Sequence, residues 1–193
     1  MINLKKGGRI NLDKSLTRVR LELGWRPNSF DGPKHDLDLS MFICAPDAAG
    51  QSKLISDEHF VFYNNELCPE KAVEYSGDSR DGAKSSDGPD EKLLVNLAAV
   101  HPKATELSAV VTIHDGEKHG LNFGQISDSV IRLYNDENNE LLAEYVLESG
   151  FQYETALQFG SLYKKDGGWQ FKAVGQGYKR GLAEFIHAYG GDC

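Results

Sequence analysis

The eight residues DLDLSMFI, at positions 36–43, decide the fold class. Their apolar side chains Leu37, Leu39, Met41 and Ile43 occupy every second position. Because successive side chains of a β-strand point to opposite faces, this spacing predicts a strand with one buried face. Such a strand needs a second layer to cover that face, so the stretch indicates a sheet that packs against another sheet.

Similar strand signals recur along most of the chain. The other predicted strands are 17–23, 59–63, 92–97, 107–113, 129–134, 140–147, 156–164 and 168–174. Clusters of glycine, asparagine and aspartate separate them, and NDENN (135–139) and KDGG (165–168) predict hairpin turns.

One segment near the end of the chain has helical spacing instead. In KRGLAEFIHAYG (179–190), Leu182, Phe185, Ile186 and Tyr189 follow the i, i+3, i+4, i+7 pattern, and Gly190 is a typical C-terminal stop. The expected fold is therefore mainly β: a two-sheet β-sandwich with a short C-terminal helix, as a single domain over residues 1–193.

Composition narrows the classes of function. The net charge is −8, and no Lys/Arg-rich stripe stands out, which argues against nucleic-acid binding. No apolar run approaches the roughly 20 residues of a transmembrane helix, and the N-terminal residues lack the apolar region of a secretory signal. The three cysteines have no CxxC spacing, so we expect a reducing, cytoplasmic setting without disulfides.

Acidic residues concentrate in two places. Asp36 and Asp38 share one face of the predicted strand, about 7 Å apart at about 3.4 Å per residue. The second place is GDSRDGAKSSDGPDE (77–91), which holds five carboxylates, three glycines and three serines. Such a segment is either a solvated loop or a loop that coordinates a hard cation. Oxygen-only donors favour Ca²⁺ over zinc or copper, and their flexibility favours it over Mg²⁺.

Motifs for catalysis are weak. GQGYKRG (175–181) departs from the dinucleotide-binding spacing and lies outside any βαβ unit, so we interpret it as a tight strand-to-helix turn. HDGEKH (114–119) is interpreted as a polar hairpin tip, although it contains His114, Asp115 and His119. No G-x-S-x-G elbow is present. We expect a protein that is not an enzyme.

Seven blocks in order resemble the TerD family of tellurite-resistance and stress proteins. They are LGW (23–25), DLDLS (36–40), FVFYNN (60–65), the acidic segment 77–91, VVTIH (110–114), ETALQFGSLY (154–163) and WQFKAVGQGYKRGL (169–182). The resemblance implies a β-sandwich that binds calcium through acidic loops and takes part in tellurite and stress tolerance without a known enzymatic activity. It also implies a location in the bacterial cytoplasm or at the inner face of the membrane.

Carried over position by position, the resemblance implies a set of calcium ligands. The set comprises Asp36, Asp38, Asn64, Asn65, Gly77, Asp78, Ser79, Asp90 and Glu91. Three positions depart from the family pattern: Arg26 replaces an aspartate, Ser79 an asparagine, and Pro89 a further aspartate, for which Asp87 is a candidate replacement. One calcium ion is expected, and a second stays open because five carboxylates would suit two divalent ions.

Two rival functions stay open. The first is an interaction module whose acidic loops carry no metal and bind basic partners. The second is an enzyme that acts on an oxyanion, which would need basic residues near the acidic end, where Arg26, Arg80 and Lys84 are the candidates. The expected partners are other stress or tellurite-resistance proteins, including ones associated with the membrane.

Overall fold

The computed structural model describes residues 1–26, 35–76, 90–147 and 150–191. The described residues form two β-sheets that pack face to face, so the predicted β-sandwich is confirmed. No helix among them is long and apolar enough to cross a membrane.

The first sheet has six strands in the order β1-β11-β10-β3-β8-β7. Its strands are Ile2–Leu4 (β1), Arg18–Arg26 (β3), Val73–Tyr75 (β7), Glu91–Asn96 (β8), Ser127–Asn135 (β10) and Glu140–Val146 (β11). The pairings are antiparallel except for β1, which lies parallel to β11 at one edge.

The second sheet has seven strands. Six follow the order β2-β13-β12-β9-β4-β5, and β6 pairs with β4 outside that path. Its strands are Arg9–Asn11 (β2), Leu37–Pro46 (β4), Ser52–Leu54 (β5), Phe60–Val61 (β6), Glu106–Ile113 (β9), Ala156–Lys165 (β12) and Gly168–Tyr178 (β13).

The core between the sheets follows the alternation in the sequence. In β4, Leu37, Leu39, Met41 and Ile43 are at most 1% exposed and point inward. Burying each such side chain contributes about 1.5–3 kcal/mol of transfer free energy. The apolar alternation that predicts the strand is therefore also what holds the two sheets together.

The C-terminal helix α2 (Gly181–Ala188) covers part of the outer face of the second sheet. Phe185 is fully buried there, with its ring 4.7 Å from Phe42 and 4.5 Å from Tyr189. The predicted helix is confirmed, and it explains why Phe42 and Cys44, on the outward face of β4, are as buried as the inner face.

Four short strands and one short helix were not predicted. The strands β1, β2, β5 and β7 each have three residues, too few for an alternation to show.

The segment 114–119 was predicted as a hairpin tip, and this was wrong: Gly116–His119 form one helical turn, α1, after Asp115 adopts a left-handed conformation with φ of 49°. The turn predicted in 175–181 is shorter than expected, because Gly175 and Gly177 lie within β13 and Gly181 begins α2.

Candidate metal centre

Acidic side chains from both sheets meet at one end of the sandwich. Strand β4 begins there just after Asp36, and β8 begins there with Glu91, directly after Asp90. The antiparallel neighbours β3 and β9 end at the same place, because Leu23 pairs with Glu91 and Ile113 pairs with Leu37. We call this group of residues, Asp36, Asp38, Asp90 and Glu91, the acidic end.

Asp90 and Glu91 are 2% and 1% exposed, and their carboxylates accept hydrogen bonds from the protein. Asp90 Oδ2 accepts from the backbone N–H of Trp25 at 3.2 Å. Glu91 Oε1 accepts from the Tyr75 hydroxyl at 2.9 Å, and its Oε2 accepts from the backbone N–H of Leu39. Charged groups are buried at low cost only when such partners or a cation surround them.

The Leu39–Glu91 hydrogen bond crosses from one sheet to the other. Leu39 directly follows Asp38, so this bond brings the start of β8 against the strand that carries the Asp36–Asp38 pair. The two acidic pairs, more than fifty positions apart in sequence, therefore lie at the same end of the sandwich.

Asp38 contacts His114, which directly follows the neighbouring strand β9. Its side chain is 15% exposed, and Oδ2 lies 3.3 Å from Nδ1 of His114. The backbone N–H of His114 donates to the carbonyl of Asp36 at 2.8 Å, which fixes the end of β9 against the start of β4.

The pKa of Tyr63 reflects the negative charge at this end of the sandwich. Burial raises the pKa of its hydroxyl, and the negative charges of Asp38, Asp115 and Asp36 raise it further. The charges of all three carboxylates therefore act on this one tyrosine. A cleft of about 490 Å³ opens beside them, with Lys118 and Arg180 also in its lining.

The two asparagines lie in the turn that follows β6. Asn65 closes this turn, since its Nδ2 donates to the carbonyl of Phe60 at 2.7 Å and its backbone pairs with Phe62. Asn64 is exposed and directly follows Tyr63. The turn thus lies near the acidic end through Tyr63, and Asn65 has a structural role in addition to its predicted one.

Gly77, Asp78, Ser79 and Asp87 lie outside the described residues, so their predicted part in a calcium site stays a prediction. Within the described ranges, no group of three or more His, Cys, Asp or Glu side chains is placed to hold a metal ion. The donors at the acidic end are all carboxylate oxygens, which suits Ca²⁺. A complete site would need further oxygens from 77–89 or from the backbone.

Sequence reasoning missed two features. Asp115 lines the same cleft as Tyr63 and Asp38, and this position depends on the register of β4 against β9, which ends just before it. Elsewhere, the Ser56 hydroxyl lies 2.7 Å from His59 Nδ1, and His59 Nε2 lies 3.2 Å from Glu70 Oε1. His59 is only 6% exposed, so this chain of contacts joins a one-turn 3-10 helix (Asp57–His59) to the turn that holds Glu70.

Of the three basic residues named for an oxyanion enzyme, Arg26 is the one that lies within the described ranges. Arg26 pairs with Asp128 at 3.2 Å, and both side chains are mostly exposed. Arg80 and Lys84 lie outside the described residues.

Comparisons with known proteins give the family. The model of the TerD domain matches residues 1–189. The chain is 42% identical over 192 residues to tellurium resistance protein TerD of Serratia marcescens, and equally to general stress protein 16U of Bacillus subtilis (strain 168), covering 98% of this chain and 97% of each relative. It also shares its fold with the crystal structure of a homologue of telluride resistance protein (TerD) from Streptomyces coelicolor A3(2), with a TM-score of 0.69, 20% identity, and 89% and 96% of the two chains covered. This chain belongs to the TerD family.

Proposed function

We propose that this protein is a non-enzymatic, calcium-binding stress-response protein that contributes to tellurite resistance. Two of its relatives, each 42% identical, are named as a tellurium resistance protein and a general stress protein, which supports the cellular role. The oxygen donors gathered at one end of the sandwich support the calcium part of the proposal.

The observation that carries the proposal is the hydrogen bond between the Leu39 N–H and Glu91 Oε2. It joins the acidic pair on β4 to the acidic pair at the start of β8, and residues 77–89 lead directly into that second pair. Carboxylates that are gathered in this way repel one another, and a divalent cation would remove the repulsion. Asp36, Asp38 and Asp90 do not form a three-ligand group by themselves in the described ranges. In the proposal, one Ca²⁺ draws their carboxylates together, and oxygens from 77–89 complete the coordination.

Calorimetric titration of the chelator-treated protein with Ca²⁺ and with Mg²⁺ tests the metal. We expect Ca²⁺ to bind with much higher affinity than Mg²⁺. An irregular set of loop and strand oxygens suits the larger ion, whereas Mg²⁺ demands a near-ideal octahedron. Equal affinities for the two ions would contradict the proposal. The stoichiometry would also decide between one ion and two.

A metal-free interaction module is the second candidate, and two observations favour it. Both oxygens of Glu91 accept hydrogen bonds from the protein, and the described ranges hold no three-ligand group for a metal. In this alternative the acidic end binds a basic partner directly. Absence of calcium binding together with unchanged stability in chelator would favour it.

The proposed partners are other stress or tellurite-resistance proteins, met in the cytoplasm or at the inner face of the membrane. Bound calcium would order the acidic loops into a rigid surface for such a partner. Growth on tellurite of a strain that lacks this protein, complemented with the wild type or with Asp38→Ala, tests the role. We expect the variant to complement poorly. Full complementation would mean that tellurite resistance does not require calcium binding through Asp38.

A further inference from the structure

A polar cleft lies on the outer face of the second sheet, at the end of the sandwich away from the acidic end. It measures about 500 Å³, within the range of small-molecule sites. Its walls are Tyr189, which directly follows α2, and the hairpin of β4 and β5, with Pro46 and Ser52 at the ends of the two strands. Its floor is made by strands β9, β12 and β13, with Arg9 of β2 at the rim.

The floor is built from buried polar side chains, which is unusual for a sheet face. Ser108, Gln158 and Ser161 are at most 5% exposed. Gln158 Nε2 donates to Ser108 Oγ at 2.8 Å and to Ser161 Oγ at 3.0 Å, and Ser161 Oγ donates to Glu106 Oε1 at 2.7 Å. Helix α2 covers the apolar part of the same face, so this polar part is a preformed surface with fixed donors and acceptors.

One side of the cleft is cationic. Arg9 of β2 pairs directly with Lys172 of β13, and Lys172 pairs with Ser161 of β12, so all three side chains point to the same face. Neither Arg9 nor Lys172 forms a salt bridge within the part of the chain that the structure describes. Two neighbouring cations without such a partner repel each other, in a protein whose net charge is −8. An anion bound between them would relieve that repulsion.

The spacing of these groups defines the class of ligand. Two strand separations, about 10 Å in total, lie between β13, which carries Lys172, and β9, which carries Glu106. A bare oxyanion is too small to reach both the cations and the Ser161–Glu106–Gln158 network. That network combines a carboxylate, hydroxyls and an amide, which are the groups that bind sugar hydroxyls through paired hydrogen bonds.

We propose that the cleft binds a small hydroxylated organic anion of the sugar-phosphate class. The phosphate lies between Arg9 and Lys172, and the hydroxyls contact Ser161, Glu106 and Gln158. This site shares no residue with the acidic end, so ligand binding here can be tested independently of calcium binding.

The test is calorimetric titration of the full chain with glucose 6-phosphate, and separately with glucose and with inorganic phosphate, each at up to millimolar concentration. We expect glucose 6-phosphate to bind, and glucose and inorganic phosphate each to bind at least about tenfold more weakly. Only glucose 6-phosphate reaches both ends of the cleft. No binding of glucose 6-phosphate, or equal binding of inorganic phosphate, overturns the proposal.

Charge reversal locates the site. Lys172→Glu should weaken glucose 6-phosphate binding by at least about tenfold, whereas Lys14→Glu, the same change at an exposed lysine outside the cleft, should leave it unchanged. Should Lys172→Glu fail to fold, Arg9→Gln on the exposed strand β2 makes the same test. Wild-type affinity in the folded variant overturns the proposal.

Discussion

At the scale of single residues, the carboxylates of the acidic end have two different tasks. Asp38 is partly exposed and faces His114, Tyr63 and a cleft, so its charge is available to a ligand. Glu91 is buried, and both of its oxygens accept hydrogen bonds from other elements. The two residues look alike in sequence, and substitution should separate them.

Asp38→Ala should weaken calcium binding by about tenfold or more, because it removes a charged oxygen donor and affinity at such sites follows the ligand charge. Calorimetry measures the change. Asp57→Ala, at an exposed carboxylate in the one-turn helix before β6, is the matched control and should bind calcium normally. Equal calcium affinity of the Asp38 variant and the wild type would mean that Asp38 is not a ligand.

Glu91→Ala should destabilise the fold even in chelator. The substitution removes the buried carboxylate that accepts from the Leu39 N–H and the Tyr75 hydroxyl, and losing such an acceptor costs about 1–3 kcal/mol. Denaturant unfolding in the presence of chelator measures this loss. Asp38→Ala under the same conditions should lose little stability. If Glu91→Ala is as stable as the wild type without metal, the hydrogen bonds across the sandwich contribute nothing.

At the scale of elements, helix α2 determines what the outer face of the second sheet can do. Its apolar side buries Phe42, Val110 and Phe185 in a small second core, while the polar floor beside it stays open. One helix therefore both covers the apolar half of this face and supplies Tyr189 as a wall of the cleft.

Phe185→Ala should destabilise the protein by about 3–5 kcal/mol, as is usual for a fully buried phenylalanine. The change leaves a cavity among three aromatic rings, so we also expect faster hydrogen exchange in α2. Ala183→Ser, at an exposed position of the same helix, should stay within about 0.5 kcal/mol of the wild type. A loss below about 1 kcal/mol for Phe185→Ala would mean that α2 is held mainly by other contacts.

The long strands could be predicted from sequence, and the short ones could not. Each of β3, β4 and β9 has eight or more residues, so its alternation rises above chance. The three-residue strands exist because neighbouring strands offer them hydrogen bonds, which is a tertiary cause that leaves no periodic trace. For the same reason Asp36 and Asp38 could be paired from their spacing, whereas Asp115 and the inter-sheet role of Glu91 depend on the register between strands.

At the scale of the whole molecule, folding itself gathers the charges of the acidic end. The unfolded chain keeps Asp38 and Glu91 far apart, whereas the native sandwich brings their strands into contact. Any cation that binds only the native state therefore opposes unfolding.

Saturating calcium, at about a thousandfold excess over Kd, should stabilise the fold by about 4 kcal/mol and raise the Tm by roughly 8–16 °C for a domain of this size. A chelator should reverse the shift, and the gain should shrink in Asp38→Ala. Thermal unfolding followed by circular dichroism measures it. A shift below about 2 °C would mean that the acidic segment is only a solvated surface.

The two tryptophans stand at opposite ends of the sandwich. Trp25 is 1% exposed, and it donates its backbone N–H to Asp90 and its indole N–H to the carbonyl of His35, which precedes Asp36. Trp169, in contrast, is the second residue of β13 at the far end, beside Lys164. Intrinsic fluorescence therefore divides the molecule in two: with Trp169→Phe, the remaining emission comes from Trp25, whose backbone is hydrogen-bonded to Asp90, so it would report on the proposed calcium binding at the acidic end.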